Sequence, residues 1–186
     1  MHIHLKDRSP CSVLSIEELY RTLSPRLNGI CITDHWVLRE IKGISFEEVK
    51  TFFGVELTSK EGDILAYGIN MMPSKNLRAT QVIDFIHRQG GVAVAAHPFS
   101  NRHLAFHEAV YNYDFNAIGI NGAIGKSSNE KARRAANKMG IPLIGGSDAH
   151  SKTQLNTVAT KFKNKTYSMS DIIKAIKEGN CKVIRI

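Results

Sequence analysis

The spacing of apolar and polar positions changes repeatedly along the 186-residue chain, from strand-like to helix-like and back. Alternating or continuous apolar runs of four to eight residues predict strands, and apolar positions three or four apart predict helices. "MHIHL" alternates and predicts a first strand. "SIEELYRTL" predicts a short helix, with Ser15 and Glu18 at capping-box spacing. "GICITD" is a continuous apolar run closed by polar residues, the pattern of a strand covered on both faces. "ISFEEVKTFF" is weakly helical. "GVELTS" and "DILAYGI" predict two strands joined by a tight turn at "KEGD". "TQVIDFIHRQGG" predicts an amphipathic helix stopped by glycine. "VAVAAHP", "NAIGING" and "IPLIGGSDAH" predict buried strands, with a helix over "SSNEKARRAANKMG" between the last two. "TVATKF" is short and strand-like, "SMSDIIKAIKEG" predicts a helix, and "CKVIRI" a final strand. Strands alternating with helices predict an α/β fold with a mostly parallel sheet. With no linker, low-complexity tract or internal repeat, residues 1–186 are expected to form a single domain.

Composition narrows the classes. The chain is 42% hydrophobic and 23% charged, ordinary values for a globular domain. No apolar run approaches the roughly 20 residues of a membrane span, so no membrane partner is expected. "MHIHLKDRSP" has no apolar centre of the kind a secretory leader requires. Three cysteines, Cys11, Cys31 and Cys181, lack CxxC spacing, which argues for a reducing, cytoplasmic setting and against a disulfide framework. Cys31 and Cys181 lie in apolar strand patterns and are expected to pack. Twenty-five Lys and Arg against 17 Asp and Glu give a net charge of +8. That balance favours anionic partners, either nucleic acid or small phosphorylated substrates. The basic residues are scattered, so most of them read as solvated surface.

The chemistry-bearing residues stand where the predicted strands end. His2 and His4 form an H-x-H pair, and Asp148 and His150 a D-x-H pair in "GGSDAH". Asp34 and His35 close "GICITDH", Glu56 lies in "GVELTS", and His97 closes "VAVAAHP". In parallel α/β folds the functional residues gather at strand ends. Singly, each has a plain structural reading: a packed histidine, an Asp cap, a cross-strand Glu. Asp34 in particular fits equally an N-cap and an acceptor orienting an imidazole. As a set they differ, because ionisable groups enter cores only when paired or metal-bound. A multi-metal site accounts for all of them at once, and histidine with carboxylate suits Zn, Mn or Fe.

"HIH", "ITDH", "GVE", "AAHPF" and "GSDAH", in this order, closely resemble the PHP (polymerase and histidinol phosphatase) family. The resemblance implies a distorted (βα)7 barrel and a metal-dependent phosphoesterase carrying two to three divalent ions. By similarity, His2, His4 and Asp148 share a first metal, Glu56 bridges it to a second held also by His97, and His35 and His150 face a third. Two departures from the family pattern stand out. Pro10 occupies roughly the place of a further ligand to the third metal, leaving Asp7 or Cys11 as substitutes. Asn121, His103 and His107 are the candidates for completing the second. The implied reaction is hydrolysis of a phosphate ester by a metal-activated water, with Glu56, His97 and Asp148 in the catalytic centre. Arg102, or else Lys126, would grip the phosphate. The substrate class is a small phosphorylated metabolite or a nucleotide. A nuclease acting on phosphodiesters and a regulatory, non-catalytic metal-binding barrel are the alternatives.

Overall fold

The computed structural model describes residues 1–41, 49–101 and 104–186. The strands fall into three sheets. β1 (Gly29–Ile32) pairs in parallel with β2 (Lys50–Phe53). Five strands, β3 (Val55–Thr58), β4 (Asp63–Tyr67), β5 (Val92–Ala95), β6 (Ala117–Asn121) and β7 (Leu143–Gly146), form the central sheet in that order. β8 (Val158–Phe162) and β9 (Cys181–Arg185) make an antiparallel pair.

The expected distorted (βα)7 barrel does not form. Among the described residues the strands make three separate sheets and no closed ring. The physical reason lies in the "KEGD" turn, which folds β3 onto β4 antiparallel, and β5 then pairs antiparallel with β4. Two successive antiparallel pairings replace the βα units that a barrel repeats. Parallel pairing is confined, within the central sheet, to β5–β6 and β6–β7, so the sheet is mixed rather than mostly parallel. "MHIHL" is not a regular strand either: it touches β-structure through a single parallel bridge, Ile3 to Ala149. Of "ISFEEVKTFF", residues 44–48 lie outside the described residues, and the remainder contains β2 rather than helix.

Among the described residues four α-helices cover the sheets: α1 (Ile16–Thr22), α2 (Ala79–Arg88), α3 (Lys126–Met139) and α4 (Met169–Lys177). α1 opens with the Ser15–Glu18 capping box that the sequence predicts. α2 places Ala79, Val82, Ile83 and Ile86 on one buried stripe, and α3 contributes Ala132, Ala135 and Ala136. These pack with Leu57, Ile64, Ala95 and Ile118 of the central sheet. Leu65, Tyr67 and Val94 face the opposite way, against Ile172 and Ile176 of α4. Covering on both faces explains why β5 and β6 read as continuous apolar runs. A third cluster joins Ile3, Leu5, Leu14, Leu19, Ile30, Ile32 and Ala149, and it anchors the N-terminal segment. No helix among the described residues is long and apolar enough to cross a membrane.

The N-terminal segment is held by backbone hydrogen bonds on both sides. Asp148 N–H donates to His2 O at 2.9 Å and His4 N–H to Ala149 O at 3.0 Å. On the other side Thr33 N–H donates to Ile3 O at 2.9 Å. Gly146 makes this approach possible, because a Cβ there would lie 2.6 Å from His2 Cβ and 2.8 Å from His2 N. Gly146→Ala is therefore expected to push the segment outward. The expected loss of stability is about 1–3 kcal/mol, the usual range for overpacking, measured by urea denaturation. An unchanged midpoint would show that the segment is not held against β7 as described.

Candidate metal centre

The segments just described bring the H-x-H and D-x-H pairs face to face. His2 is 3% exposed, His4 0%, Glu56 1% and Asp148 1%. His2 Nε2 and His4 Nε2 are 2.9 Å apart. Each lies 3.1 Å from Glu56 Oε2. They lie 3.4 and 3.3 Å from Asp148 Oδ1. His35 Nε2 reaches the same Glu56 oxygen at 3.4 Å, and His97 Nε2 reaches Glu56 Oε1 at 3.2 Å. Glu56 thus presents one oxygen to His2, His4 and His35 and the other to His97.

Three groups of ligand-type atoms result, each with its atoms within 4.8 Å of one another. The innermost comprises His2, His4, Glu56 and Asp148. A second comprises Glu56, Asp63 and His97. A third, more open, comprises His4, Cys11, His35 and His150. These donor sets fit divalent cations. Buried within the second group, Asp63 Oδ1 and His97 Nδ1 have no hydrogen-bond partner among the described residues, and polar atoms in that situation are rare.

The surrounding hydrogen bonds fix which nitrogen His4 offers. Ser9 Oγ donates to Asp34 Oδ1 at 3.0 Å and accepts from His35 N–H at 3.0 Å. Its single proton being spent on Asp34, it can only accept from His4 Nδ1, 3.2 Å away. His4 Nε2 is thereby the nitrogen turned toward the carboxylates. Asp34 is buried and also accepts from Leu5 N–H at 2.7 Å and Arg8 Nε at 2.6 Å. It orients an imidazole through Ser9, one of its two sequence readings, and caps no helix. Asn121 is not among the grouped ligands; its Nδ2 donates to Asp148 Oδ2 at 2.8 Å, and its own Oδ1 accepts from Ala123 N–H at 2.7 Å. Asp148 Oδ1 is thereby the oxygen turned toward the two histidines. Positive backbone φ at His97 (29°) and Asp148 (51°) sets two of these side chains from uncommon conformations, and Trp36 beside His35 shares the feature (56°). Such conformations persist where the surrounding structure enforces them, often at functional sites.

Electrostatics follow from the crowding. Burial opposes the charged form of Glu56, but the His2 charge and hydrogen bonds from His2, His4 and His97 hold its carboxyl well below the usual range. Asp148 is likewise held low, with His2 and His4 outweighing burial. Burial opposes protonation of His4, yet its contacts with Asp148 and Glu56 raise it to about 9. His97 is raised against burial by Glu56. His35 and His150 are lowered, chiefly by burial. Asp63 is raised by burial and by the Glu56 charge. Both carboxylates at the centre are thus ionised and demand positive charge, from protons or from cations.

Several sequence candidates lie elsewhere. Asp7 is exposed on a turn and belongs to none of the three groups. His107 is exposed and Lys126 begins α3 at the surface. Arg102 and His103 lie outside the described residues. Asp63 is the residue that sequence reading missed. It closes the "KEGD" turn as the first residue of β4, and only the register Thr58↔Asp63 places it beside the strand that carries Glu56.

A family model described as PHP-associated matches residues 126–181. The uncharacterized protein MJ1587 of Methanocaldococcus jannaschii is 29% identical over 97 residues, covering 49% of this chain. The chain matches about half of that relative's length, 56%. Among solved structures, PsfC from Pseudomonas syringae PB-5123 superposes with a TM-score of 0.76 at 17% identity, covering 100% of this chain and 90% of that one. The lesion-specific endonuclease PfuEndoQ from Pyrococcus furiosus gives a TM-score of 0.64 at 18% identity, covering 98% of this chain and 56% of that one. The partial family match and the shared fold support a PHP-related chain.

The Arg8–Asp34 pair generates a stability prediction. The Arg8 side chain is only 10% exposed and Asp34 is fully buried. Asp34→Ala strands Arg8, Leu5 N–H and Ser9 without their acceptor. It is expected to cost about 3–5 kcal/mol, the range for breaking a buried pair, whereas Asp34→Asn keeps an acceptor and loses less. Chemical denaturation of both variants checks this; equal losses would contradict the charge-based reading.

Proposed function

We propose that the chain is a metal-dependent hydrolase of phosphate esters, acting on a small phosphorylated metabolite or nucleotide. One observation carries the reading. Five separations among His2 Nε2, His4 Nε2, Glu56 Oε2 and Asp148 Oδ1 run from 2.9 to 3.4 Å. A tetrahedral ion with bonds of about 2.0–2.1 Å to nitrogen and oxygen has ligand–ligand edges of about 3.3–3.4 Å. Two imidazole nitrogens 2.9 Å apart and two ionised carboxylates have no better common partner than a cation.

On this reading His2, His4, Glu56 and Asp148 hold a first ion. Glu56, His97 and Asp63 hold a second, and His35 and His150 face a third position. Two to three ions are expected, drawn from Zn, Mn or Fe, which histidine and carboxylate ligands suit. When bound, such ions acidify water and neutralise phosphate oxygens. The chain's own contribution is positional. Glu56 offers one oxygen to each of the two inner groups and so fixes their spacing. Ser9 and Asn121 hold His4 and Asp148 in the orientations that aim Nε2 and Oδ1 at one point. Burial of these four residues keeps competing water away from their ligand atoms. Arg102 is proposed, from its sequence position after "HPFS", to grip phosphate oxygens, with Lys126 as the alternative. The net charge of +8 favours anionic substrates.

A second reading is a nuclease cleaving nucleic-acid phosphodiesters. It is supported by the fold shared with a lesion-specific endonuclease and by the same basic charge.

The test is a chelator-stripped preparation assayed on phosphomonoesters, nucleotides and DNA, with Mn or Zn restored. Stripping is expected to abolish hydrolysis and restoration to recover it. Glu56→Gln is expected to lose at least about 100-fold in activity, since even partners one step removed from a metal are worth 10–100-fold. Hydrolysis confined to DNA would favour the nuclease reading. Full turnover by Glu56→Gln, or tight metal retention with no hydrolysis of any ester, would contradict the assignment.

A further inference from the structure

We propose that the outer group of ligands is a thiolate site, in which Cys11 joins His35 and His150 to hold an ion distinct from those at Glu56. The proposal rests on the reading of this cluster as a metal centre and concerns its chemistry.

The four atoms of the outer group, from His4, Cys11, His35 and His150, lie within 4.8 Å of one another. One of the four is already committed. His4 Nδ1 is turned to Ser9 at 3.2 Å, and Nε2 lies 2.9–3.3 Å from the inner ligands His2, Glu56 and Asp148. An imidazole nitrogen has one lone pair, so His4 serves the inner group. What remains is one sulfur and two imidazoles, of which His35 stands at the border between the groups, its Nε2 3.4 Å from Glu56 Oε2.

His150 is prepared for this role. Its Nδ1 faces the Asp148 carbonyl oxygen at 2.9 Å, and a carbonyl only accepts, so Nδ1 carries the hydrogen. Nε2 therefore keeps its lone pair. His35 is fixed through its backbone N–H on Ser9. Cys11 arrives from the turn that begins at Lys6. Ser12 fastens the end of that turn, its Oγ donating to His4 O at 2.8 Å and also meeting His150 O at 3.1 Å. The residue beside Cys11 is thus hydrogen-bonded to the chain at two of the histidines of the group.

Depth separates the two kinds of site. The inner ligands are buried, whereas His35 and His150 are half-buried and Cys11 is exposed. Three protein ligands with solvent access are the arrangement of zinc sites that keep a coordination position open. Sulfur changes which ion is taken. A thiolate favours Zn, Co or Fe(II) over Mn and Mg, where a carboxylate in its place would not. Binding breaks the S–H bond of Cys11, forms a sulfur–metal bond and releases one proton to solvent, with no change of oxidation state.

Cobalt(II) titration of the chelator-treated full chain tests this, followed by absorption and by thiol counting with a disulfide reagent. Ions entering the nitrogen and oxygen groups are expected to give visible bands without sulfur character. Filling of the outer group is expected to add an ultraviolet sulfur-to-cobalt band and to shield the exposed thiol of Cys11 from the reagent. Cys11→Ser should lose the band and one bound ion, while Cys31→Ala and Cys181→Ala keep both. Cobalt bound to saturation with no sulfur band, or a band that survives Cys11→Ser, overturns the thiolate site and leaves the hydrolase reading standing. A chain that binds no cobalt at all overturns both.

Discussion

Two ionised carboxylates, Glu56 and Asp148, are buried against a crowd of imidazoles, and the rest of the molecule is arranged around that fact. A carboxylate taken out of water is tolerated only if paired and hydrogen-bonded. Glu56 meets four histidine nitrogens within 3.4 Å. That number of partners exceeds what neutralising one charge requires. Histidines supply variable positive charge through protonation, but two Nε2 atoms 2.9 Å apart cannot comfortably both be protonated. A divalent cation meets the same demand with a single centre.

The architecture delivers these groups by converging segments rather than by one continuous sheet. The N-terminal stretch is a single bridge wide, yet it is bonded to the end of β7 on one side and to Thr33 beyond β1 on the other. Glu56 sits on β3, whose neighbour β4 supplies Asp63, and the residues that follow β5 and β7 supply His97 and Asp148. Behind the ligands stands a layer of fixed polar groups. Asp34, Ser9 and Arg8 lock His4, and Asn121 locks Asp148. Such support matters because a ligand's orientation decides affinity as much as its identity.

Much of the site was legible in the sequence, and the reason is chemical. His, Asp and Glu following apolar strand patterns are costly to bury without a purpose, so His2, His4, Glu56, His97, Asp148 and their neighbours His35 and His150 stood out. Asp63 did not, because a lone Asp after a Gly in a turn is ordinary, and only hairpin register carries it to Glu56. Asp34 was open between two roles, and its choice depends on Arg8 and Ser9 lying within reach in space. The helices and central strands followed their periodicity, down to the capping box at Ser15. The barrel did not, because period and length fix a strand's existence but not its direction. Antiparallel pairing across β3, β4 and β5 is a property of the "KEGD" turn and of which edges meet.

The centre also has a gradient, from the sealed Glu56–Asp148 pair to the exposed edge at Cys11, and a basic chain surrounds it. The central claim is that cations, not protons, satisfy the buried carboxylates. Anomalous diffraction from crystals grown with Zn or Mn tests it most directly. The account predicts a strong peak among His2, His4, Glu56 and Asp148, and a second beside Glu56 toward His97 and Asp63. A map with no peak at either place, with the histidines still in direct contact with Glu56, would contradict it.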